Sequence, residues 1–167
     1  MAAPVLLFLD FDGTLHPNWT FTTNARGRPV AQPYAGPCLV EAERLTMMLA
    51  PYAEHLQIVL SSWWAYTRPL GEVRALLPDL LASRVIDGVW LPHWMDRYRA
   101  ESISRYACIQ LWREHRQHIG PWLALDDDDR DWPAAQRHHL VHADGTLASP
   151  LVQDMLRAML AELLPAP

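Results

Sequence analysis

Short, mostly apolar runs recur along the chain and end at polar residues, Gly or Pro. Each run has the length of a strand and lacks the 3.6-residue period of an amphipathic helix, which predicts a strand, and the unbroken apolar run at Val5–Leu9 predicts a central strand buried on both faces. The predicted strands are Val5–Leu9, Leu56–Ser62, Arg84–Leu91, Trp122–Leu125 and His139–His142.

Amphipathic stretches separate these runs. Apolar residues recur in them at helical spacing, which predicts helices docked on a sheet. The predicted helices cover Leu39–Leu49, Thr67 to about Leu77, Arg99–His118 and about Pro150–Leu164. Strands alternating with helices predict an α/β fold, a Rossmann-like three-layer sandwich around a central, mostly parallel sheet. Ligands then bind at the carboxyl ends of the strands.

Residues 16–37 interrupt this alternation. They contain Pro, Gly, Thr and Asn with little periodicity, so we interpret them as a long flap-like loop next to the functional edge, with room for a β-hairpin around Asn24–Gly27. Loops of this length inside a compact domain are usually functional. Neither this interval nor the one between the second and fourth strands has room for a large cap domain, so we expect an open site.

The chain has 167 residues, half of them apolar and a fifth charged, which is typical of one globular domain covering residues 1–167. A formal net charge of −5 argues against a protein that coats nucleic acid by bulk electrostatics. The two cysteines, Cys38 and Cys108, form no zinc or disulfide pattern. No signal-peptide pattern and no apolar run of membrane-spanning length occur, so we expect a cytoplasmic protein without a membrane partner.

Side chains able to bind metal or phosphate follow three of the predicted strands. The first strand runs into two carboxylates spaced two apart, which an extended backbone points to the same side. Such carboxylates repel each other unless a cation lies between them. Because the carboxyl ends of parallel strands meet at one edge, we expect these groups to converge. They are Asp10 and Asp12 after the first strand, Ser61 and Ser62 on the second, and Asp126 and Asp127 after the fourth.

Together these segments resemble the motifs of a haloacid dehalogenase (HAD) superfamily phosphohydrolase. The first motif is matched by D-F-D-G-T at residues 10–14, the second by I-V-L-S at 58–61 and the fourth by L-A-L-D-D at 123–127. The longer segments L-F-L-D-F-D-G-T-L-H-P, I-V-L-S-S-W-W and W-L-A-L-D-D are also similar to the small HAD domains of bacterial RNA-repair proteins. The resemblance covers nearly the whole chain.

The resemblance implies a role for each group. Asp10 would be the nucleophile that attacks phosphorus, and Asp12 would protonate the leaving oxygen and then take a proton from water. Mg²⁺, a hard ion suited to carboxylates and phosphate oxygens, would bind Asp10, the backbone carbonyl of Asp12 and a fourth-motif acid. That acid is Asp127, which we favour, or Asp126. Ser61 would donate a hydrogen bond to a phosphoryl oxygen.

The family also requires a Lys or Arg near the start of the helix before the fourth strand. Arg97, Arg99 and Arg105 are the candidates, and we predict Arg99, whose planar guanidinium could hold two phosphoryl oxygens. Arg105 lies roughly two turns beyond Arg99 along the predicted helix, so we expect it to leave the strand-end edge. His16, just past the first motif, is near enough to touch substrate, but we expect it to be a surface residue, and we expect Asp128 to be a solvated loop acid.

Three functions are compatible with these motifs. The first is Mg²⁺-dependent phosphomonoester hydrolysis through an aspartyl-phosphate. The second is a catalytically weak HAD-fold domain that binds a phosphorylated partner, but such a domain would not need both Asp10 and Asp12. The third is a phosphate-accepting signalling domain, which would carry its acceptor Asp on a later strand.

We predict the phosphatase, and the open site favours a nucleic-acid end, a nucleotide or another large phosphorylated substrate. The candidate substrate-binding residues are Gly13, Thr14, Ser62 and Trp63, the last by stacking on a base.

Overall fold

The computed structural model describes residues 3–91 and 96–164, except for the side chains of Phe21, Arg97, Tyr98 and Arg99. The described strands are β1 (Val5–Leu9), β2 (Trp19–Thr23), β3 (Pro29–Pro33), β4 (Leu56–Leu60), β5 (Val85–Gly88), β6 (Trp122–Asp126) and β7 (Leu140–His142). The described α-helices are α1 (Ala42–Leu49), α2 (Trp64–Thr67), α3 (Leu70–Arg74), α4 (Asp79–Arg84), α5 (Arg97–Ser102), α6 (Arg105–His115) and α7 (Pro150–Leu163). Residues 50–55 and 134–139 form 3₁₀ helices.

A parallel sheet with the order β5-β4-β1-β6-β7 forms the centre of the fold. β1 is its middle strand: Leu6 pairs with Gln57 of β4 on one side and with Trp122 of β6 on the other. Every residue of β1 is buried, as predicted from its unbroken apolar run. The carboxyl ends of β1, β4 and β6 therefore meet at one edge of the sheet.

Helices cover both faces of this sheet. Alternate residues of β1 enter two separate cores, with Leu7 in the core that includes residues of α1 and α7, and Phe8 in the core under α6. The second core is aromatic, with Phe8 in edge-to-face contact with Trp112 and Trp122. This three-layer arrangement confirms the predicted Rossmann-like α/β class.

Two predicted helices differ from those in the structure. The helix predicted from Thr67 to about Leu77 is shorter, because Thr67 ends α2, Pro69 forces Arg68 into an extended conformation, and α3 covers only Leu70–Arg74. The helix predicted for Arg99–His118 is two helices, α5 and α6. Ser104 has an extended backbone, and its hydroxyl accepts from Ala107 N at 3.3 Å, so it caps the start of α6.

The predicted hairpin in the 16–37 loop is present as the antiparallel pair β2–β3. Its turn is closed by Asn24, whose side-chain oxygen accepts from Arg26 N at 2.9 Å and Arg28 N at 3.0 Å, and Gly27 supplies a φ of +71°. Every residue of β3 is exposed. In the part of the chain that the structure describes, no helix combines the length and apolar character needed to span a membrane.

Candidate active site

The turn after β1 holds Asp10 at the carboxyl end of the central strand. Asp10 is buried, and its backbone N–H donates to Leu125 O on β6 at 3.1 Å, which continues the strand ladder. The chain then reverses, because Thr14 N and Leu15 N both donate to Phe11 O, at 3.1 and 2.8 Å. The reversal brings the Thr14 hydroxyl to 3.2 Å from Asp10 Oδ2, to which it donates. One oxygen of Asp10 is thereby fixed.

Asp12 lies on the same turn but nearer the surface, with 39% of its side chain exposed. Its Oδ1 is 2.9 Å from His16 Nε2. The His16 ring is buried beside Tyr34 and Trp64, with centroid distances of 6.1 and 5.7 Å. Gly13 N donates to His16 O at 2.8 Å, so the tight turn folds His16 back against Asp12. The prediction that His16 is a surface residue is therefore wrong.

The fourth-motif acids lie at the carboxyl end of β6. Asp126 is its last residue and is completely buried, and Asp127 comes directly after it. Asn18 Nδ2 donates to Asp127 Oδ2 at 2.8 Å, which connects the start of the flap-like loop to this acid. Gly13 has a φ of +76°, and a Cβ added there would collide with the Asp127 carboxylate. A glycine is therefore required for the two turns to lie this close.

Arg105 brings a positive charge to these acids. It is the first residue of α6, and its Nη2 lies 3.4 Å from Asp10 Oδ1 while its Nε lies 3.1 Å from Asp126 Oδ2. The Nε contact is an ion pair without hydrogen-bond alignment, since Nε has no aligned acceptor among the described residues. The expectation that Arg105 leaves the strand-end edge is wrong, because the chain ends one helix and starts another just before it. The side chains of Arg97 and Arg99 lie outside the described residues, so the role of Arg99 stays a prediction.

Asp128 fixes the start of α6 to the loop after β6. Its Oδ2 accepts from Arg105 N at 3.3 Å, where the unpaired N–H groups of a helix start favour an acid. Arg130 Nε and Nη2 donate to its two carboxylate oxygens, each at 2.8 Å. Burial disfavours the ionised form of Asp128, but the hydrogen bonds from Arg130 outweigh it and lower the pKa of this acid. Asp128 is thus a structural acid, and the prediction of a solvated loop acid is wrong.

Asp10, Asp126 and Asp127 form the group among the described residues that could hold a metal ion. Each offers one carboxylate oxygen, and these atoms all lie within 4.8 Å of one another. An all-oxygen donor set suits a hard divalent ion such as Mg²⁺. Arg105 offsets only part of the charge of three carboxylates, so the residues present fit a bound cation. The carboxylate of Asp12 is outside this group.

The pKa values of the cluster are consistent with a need for more positive charge. Burial raises the pKa of Asp10 well above the ordinary value of an aspartate, Asp126 adds to the shift, and Arg105 opposes it. Burial also raises the pKa of Asp126 to about 7, against the attraction of Arg105. Burial disfavours the charged form of Arg105, but Asp126 and Asp10 outweigh it and raise its pKa. A cation bound between the acids would stabilise their ionised forms.

The two second-motif hydroxyls have different surroundings. Ser61 Oγ donates to Asp126 Oδ2 at 3.5 Å, so it faces the cluster. Ser62 Oγ accepts from Trp64 N at 3.3 Å at the start of α2, and Ser62 O accepts from Trp90 Nε1 at 2.7 Å. Ser62 therefore supports the loop after β4, and it is Ser61 that the structure brings to the acids.

Two cavities adjoin the cluster. The larger, about 630 Å³, lies between the base of the hairpin and the loop after β7, and its lining includes Gly13, Asp127 and Trp19, whose residue surface is 58% exposed. The smaller, about 270 Å³, is lined by Trp63 and Arg105 among others. Each cavity thus joins a charged residue of the cluster to a tryptophan.

A parallel sheet with a buried Asp directly after its middle strand, paired acids at the end of the next strand and an arginine between them is the arrangement of a HAD-type fold. The sequence model of one protein family, described as the HAD domain in Swiss Army Knife RNA repair proteins, matches residues 6–148, and the chain belongs to this family. Membership indicates phosphohydrolase-type chemistry. No curated protein and no solved structure matches the chain significantly.

Sequence reasoning did not place three residues at the site: Arg105, which was a candidate cation but was expected to leave the strand-end edge, His16 and Asn18. The position of Arg105 had a sequence signal, because Ser104 is a preferred N-cap residue and marks a helix start directly before it. His16 and Asn18 had no comparable signal. His16 depends on the geometry of a four-residue turn, and Asn18 depends on a contact with Asp127, 109 positions away.

Proposed function

We propose that the protein is a Mg²⁺-dependent phosphomonoester hydrolase that works through an aspartyl-phosphate on Asp10. One observation carries the proposal: Asp10, Asp126 and Asp127 place carboxylate oxygens within 4.8 Å of one another at the carboxyl edge of the sheet, with Arg105 against two of them. Mg²⁺ held by Asp10, Asp127 and the backbone carbonyl of Asp12 would neutralise charge that otherwise keeps a carboxylate away from a phosphate.

The reaction has two steps. In the first, a carboxylate oxygen of Asp10 forms a bond to phosphorus while the bond to the leaving oxygen breaks. The leaving oxygen keeps the electron pair and takes a proton from Asp12. In the second, Asp12 takes a proton from a water molecule, whose oxygen attacks phosphorus. The bond between phosphorus and Asp10 breaks, which releases inorganic phosphate and restores both carboxyl groups.

The surrounding residues hold these groups in position. Thr14 donates to one oxygen of Asp10, which leaves the other to react. Arg105 lies beside Asp10 and has an Nε without an aligned acceptor among the described residues, so we propose it as the third-motif cation that meets a phosphoryl oxygen. Because Arg105 already pairs with Asp126, Asp127 is the better candidate for the fourth-motif acid that binds the metal. Ser61, which faces the same cluster, is the second donor for the phosphoryl group.

The proposed substrate is the phosphorylated end of a nucleic acid. The family description refers to RNA repair proteins. The cavity that reaches Asp127 is also lined by the exposed Trp19, and the cavity at Arg105 is lined by Trp63, so either tryptophan could stack on a base. A net charge of −5 agrees with recognition of an end at a local site, because it disfavours binding along a strand.

A phosphate-release assay tests this proposal. Nucleotides, oligonucleotides with 5′- or 3′-phosphate and phosphopeptides are incubated with the protein and Mg²⁺, with and without excess chelator, beside Asp10→Asn. We expect release from oligonucleotide ends that requires both Mg²⁺ and Asp10. Saturable binding of these substrates without turnover would favour the binding domain, and turnover undiminished by chelator would overturn the metal dependence.

A further inference from the structure

His16 makes two hydrogen bonds that show which nitrogen of its neutral ring carries the proton. Leu39 N lies 3.3 Å from His16 Nδ1, and a backbone N–H can only donate, so Nδ1 is the acceptor. The proton of the neutral ring must then be on Nε2, which lies 2.9 Å from Asp12 Oδ1. His16 therefore donates to Asp12, and the chain of hydrogen bonds runs from Leu39 through His16 to the acid.

The surroundings hold the ring in this orientation. His16 is 5% exposed, and the rings of Tyr34 and Trp64 lie beside it. Leu39 has a φ of +54°, a conformation that is strained for a residue with a side chain. This conformation occurs at the residue whose N–H reaches His16. Strain of this kind persists only where the surrounding structure over-determines it.

We propose that His16 is a positioning residue that aims Asp12 at the leaving oxygen. With Oδ1 of Asp12 held by His16, Oδ2 is the oxygen that carries a proton to the leaving group. Without this bond a half-exposed side chain would sample several rotamers, and only some of them would place the proton correctly. The inference rests on the proposed function, since it assigns His16 to the first of its two steps.

Two substitutions separate the bond to Asp12 from the bond to Leu39. In His16→Gln, the side-chain amide nitrogen lies near the former Nε2 and can still donate to Asp12. In His16→Asn, the amide oxygen lies near the former Nδ1 and can still accept from Leu39 N, but nothing reaches Asp12. The two variants have similar polarity, so each is the control for loss of the buried ring in the other.

The leaving group provides a readout that a purely structural role would not change. An aryl phosphate with a nitrophenolate leaving group needs little protonation, whereas an alkyl phosphate such as glycerol phosphate needs a proton as the bond breaks. The ratio kcat/KM covers the reaction only up to formation of the aspartyl-phosphate. It therefore depends on Asp12 as the acid of the first step and not on its role as the base of the second. The ratio of kcat/KM for the two substrates therefore measures how well Asp12 delivers its proton.

We expect His16→Asn to lower kcat/KM for the alkyl phosphate about 10-fold or more, part of the roughly 10²–10⁴-fold that acid catalysis contributes, with a smaller loss for the aryl phosphate. His16→Gln should keep most of both activities. Equal losses on both substrates, or a worse result for Gln than for Asn, would overturn the proposal. If the wild-type protein releases phosphate from neither of these substrates nor from oligonucleotide ends, the proposed phosphatase function fails first, and the role of His16 in it fails with it.

A spectroscopic measurement keeps the proposal testable if a variant fails to fold. The nitrogen chemical shifts of His16 in the wild-type protein, assigned by its loss in either variant or through its backbone, distinguish the two neutral tautomers. We expect a protonated Nε2 and an unprotonated Nδ1. The opposite tautomer would mean that His16 cannot donate to Asp12, and it would overturn the inference whatever the kinetics show.

Discussion

The turn after β1 and the turn between β2 and β3 both depend on a glycine with a positive φ, but their surroundings are opposite. Gly13 has a φ of +76°, and a Cβ there would meet Asp127 and Asn18. Gly27 has a φ of +71°, and a Cβ there would meet nothing within 4 Å. The first turn is packed against residues distant in the sequence, whereas the second is closed by its own residues, including the Asn24 side chain. Changes in the first region should therefore alter chemistry, and changes in the second only recognition or local stability.

The largest effect is expected at Asp10 in the first region. Asp10→Asn should lower turnover by at least about 10⁴-fold, because a carboxamide is a poor nucleophile and a lost nucleophile has effects of this size. The fold should remain intact, since the change removes one charge from a repelling cluster. Steady-state phosphate release and thermal unfolding measure the two outcomes. Asp154→Asn, an exposed acid on α7, is the matched control. Equal turnover in the two variants would remove Asp10 from the role of nucleophile.

The next effect concerns the cation of the site. Arg105→Ala should lower kcat roughly 10²–10³-fold, the usual result of losing one preorganised donor at developing charge, and Arg105→Lys should restore part of it. Arg99→Ala, on α5, measures the alternative that the sequence predicted. Near-normal turnover in Arg105→Ala together with a collapse in Arg99→Ala would return the third-motif role to Arg99.

The two glycines allow the comparison to be tested directly. Gly13→Ala should weaken Mg²⁺ activation roughly 10–100-fold, as changes that displace a metal ligand do, because the new methyl group pushes Asp127 away. Gly27→Ala also forces a residue with a Cβ into a positive φ, but its methyl group meets no neighbour. It should therefore cost about 1 kcal/mol of stability and leave Mg²⁺ activation unchanged. Titrating activity with Mg²⁺ measures the change in activation, and chemical denaturation measures the change in stability. Similar Mg²⁺ requirements in both variants would mean that the close approach of Gly13 to Asp127 is unimportant.

A smaller effect is expected from the hairpin itself. Trp19→Ala should raise KM for a phosphorylated oligonucleotide about 10-fold, the loss of roughly 1.4 kcal/mol of base stacking, and leave kcat for glycerol phosphate unchanged. Val30→Ala, also exposed on the hairpin but not part of the cavity lining, should change neither. An unchanged KM in Trp19→Ala would place the base elsewhere, with Trp63 as the next candidate.

The smallest effect is a pH dependence of stability in metal-free protein. Burial raises the pKa of Asp126 to about 7, whereas an unfolded aspartate has a pKa of about 3.9. Between these values the folded state holds the extra proton, so stability is greatest at the acid end and falls as pH rises through this window. The melting temperature of the metal-free protein should therefore be lower at pH 8 than the ionisation of the other groups alone predicts.

Asp126→Asn should remove the part of the pH dependence that comes from Asp126, and Mg²⁺ should raise the melting temperature more at pH 8 than at pH 5. A pH profile identical in wild type and Asp126→Asn would contradict the shift.

Features that depend on local periodicity could be predicted from the sequence. The apolar runs of β1, β4 and β6 identify a parallel sheet, and parallel strands share a carboxyl edge, so the meeting of Asp10 with Asp126 followed from pattern and topology. Family membership and the predicted α/β class agree with this.

Features that depend on where the backbone turns could not be predicted in the same way. A continuous helix was expected between residues 99 and 118, and a break at Ser104 places Arg105 at the acids. The break between α5 and α6 changes the direction in which the following side chains point, and this decides which arginine faces the site. The amphipathic pattern alone does not show where such a break occurs. The burial of His16 likewise depends on the reversal after β1, and Asn18 depends on a tertiary contact with Asp127.

The middle position of β1 has a consequence for the order of folding. β1 has one partner strand about 50 residues further along the chain and another far beyond that, as the pairing of Leu6 with Gln57 and with Trp122 requires. Parallel pairs need long crossovers, and closing long loops is slow compared with forming helices. Asp10 and Asp126 therefore approach each other only when β6 docks beside β1. We expect the mutual repulsion of these acids to arise late in folding, after α1 and β4 have found β1, so that a cation in the medium accelerates the final step rather than the first collapse.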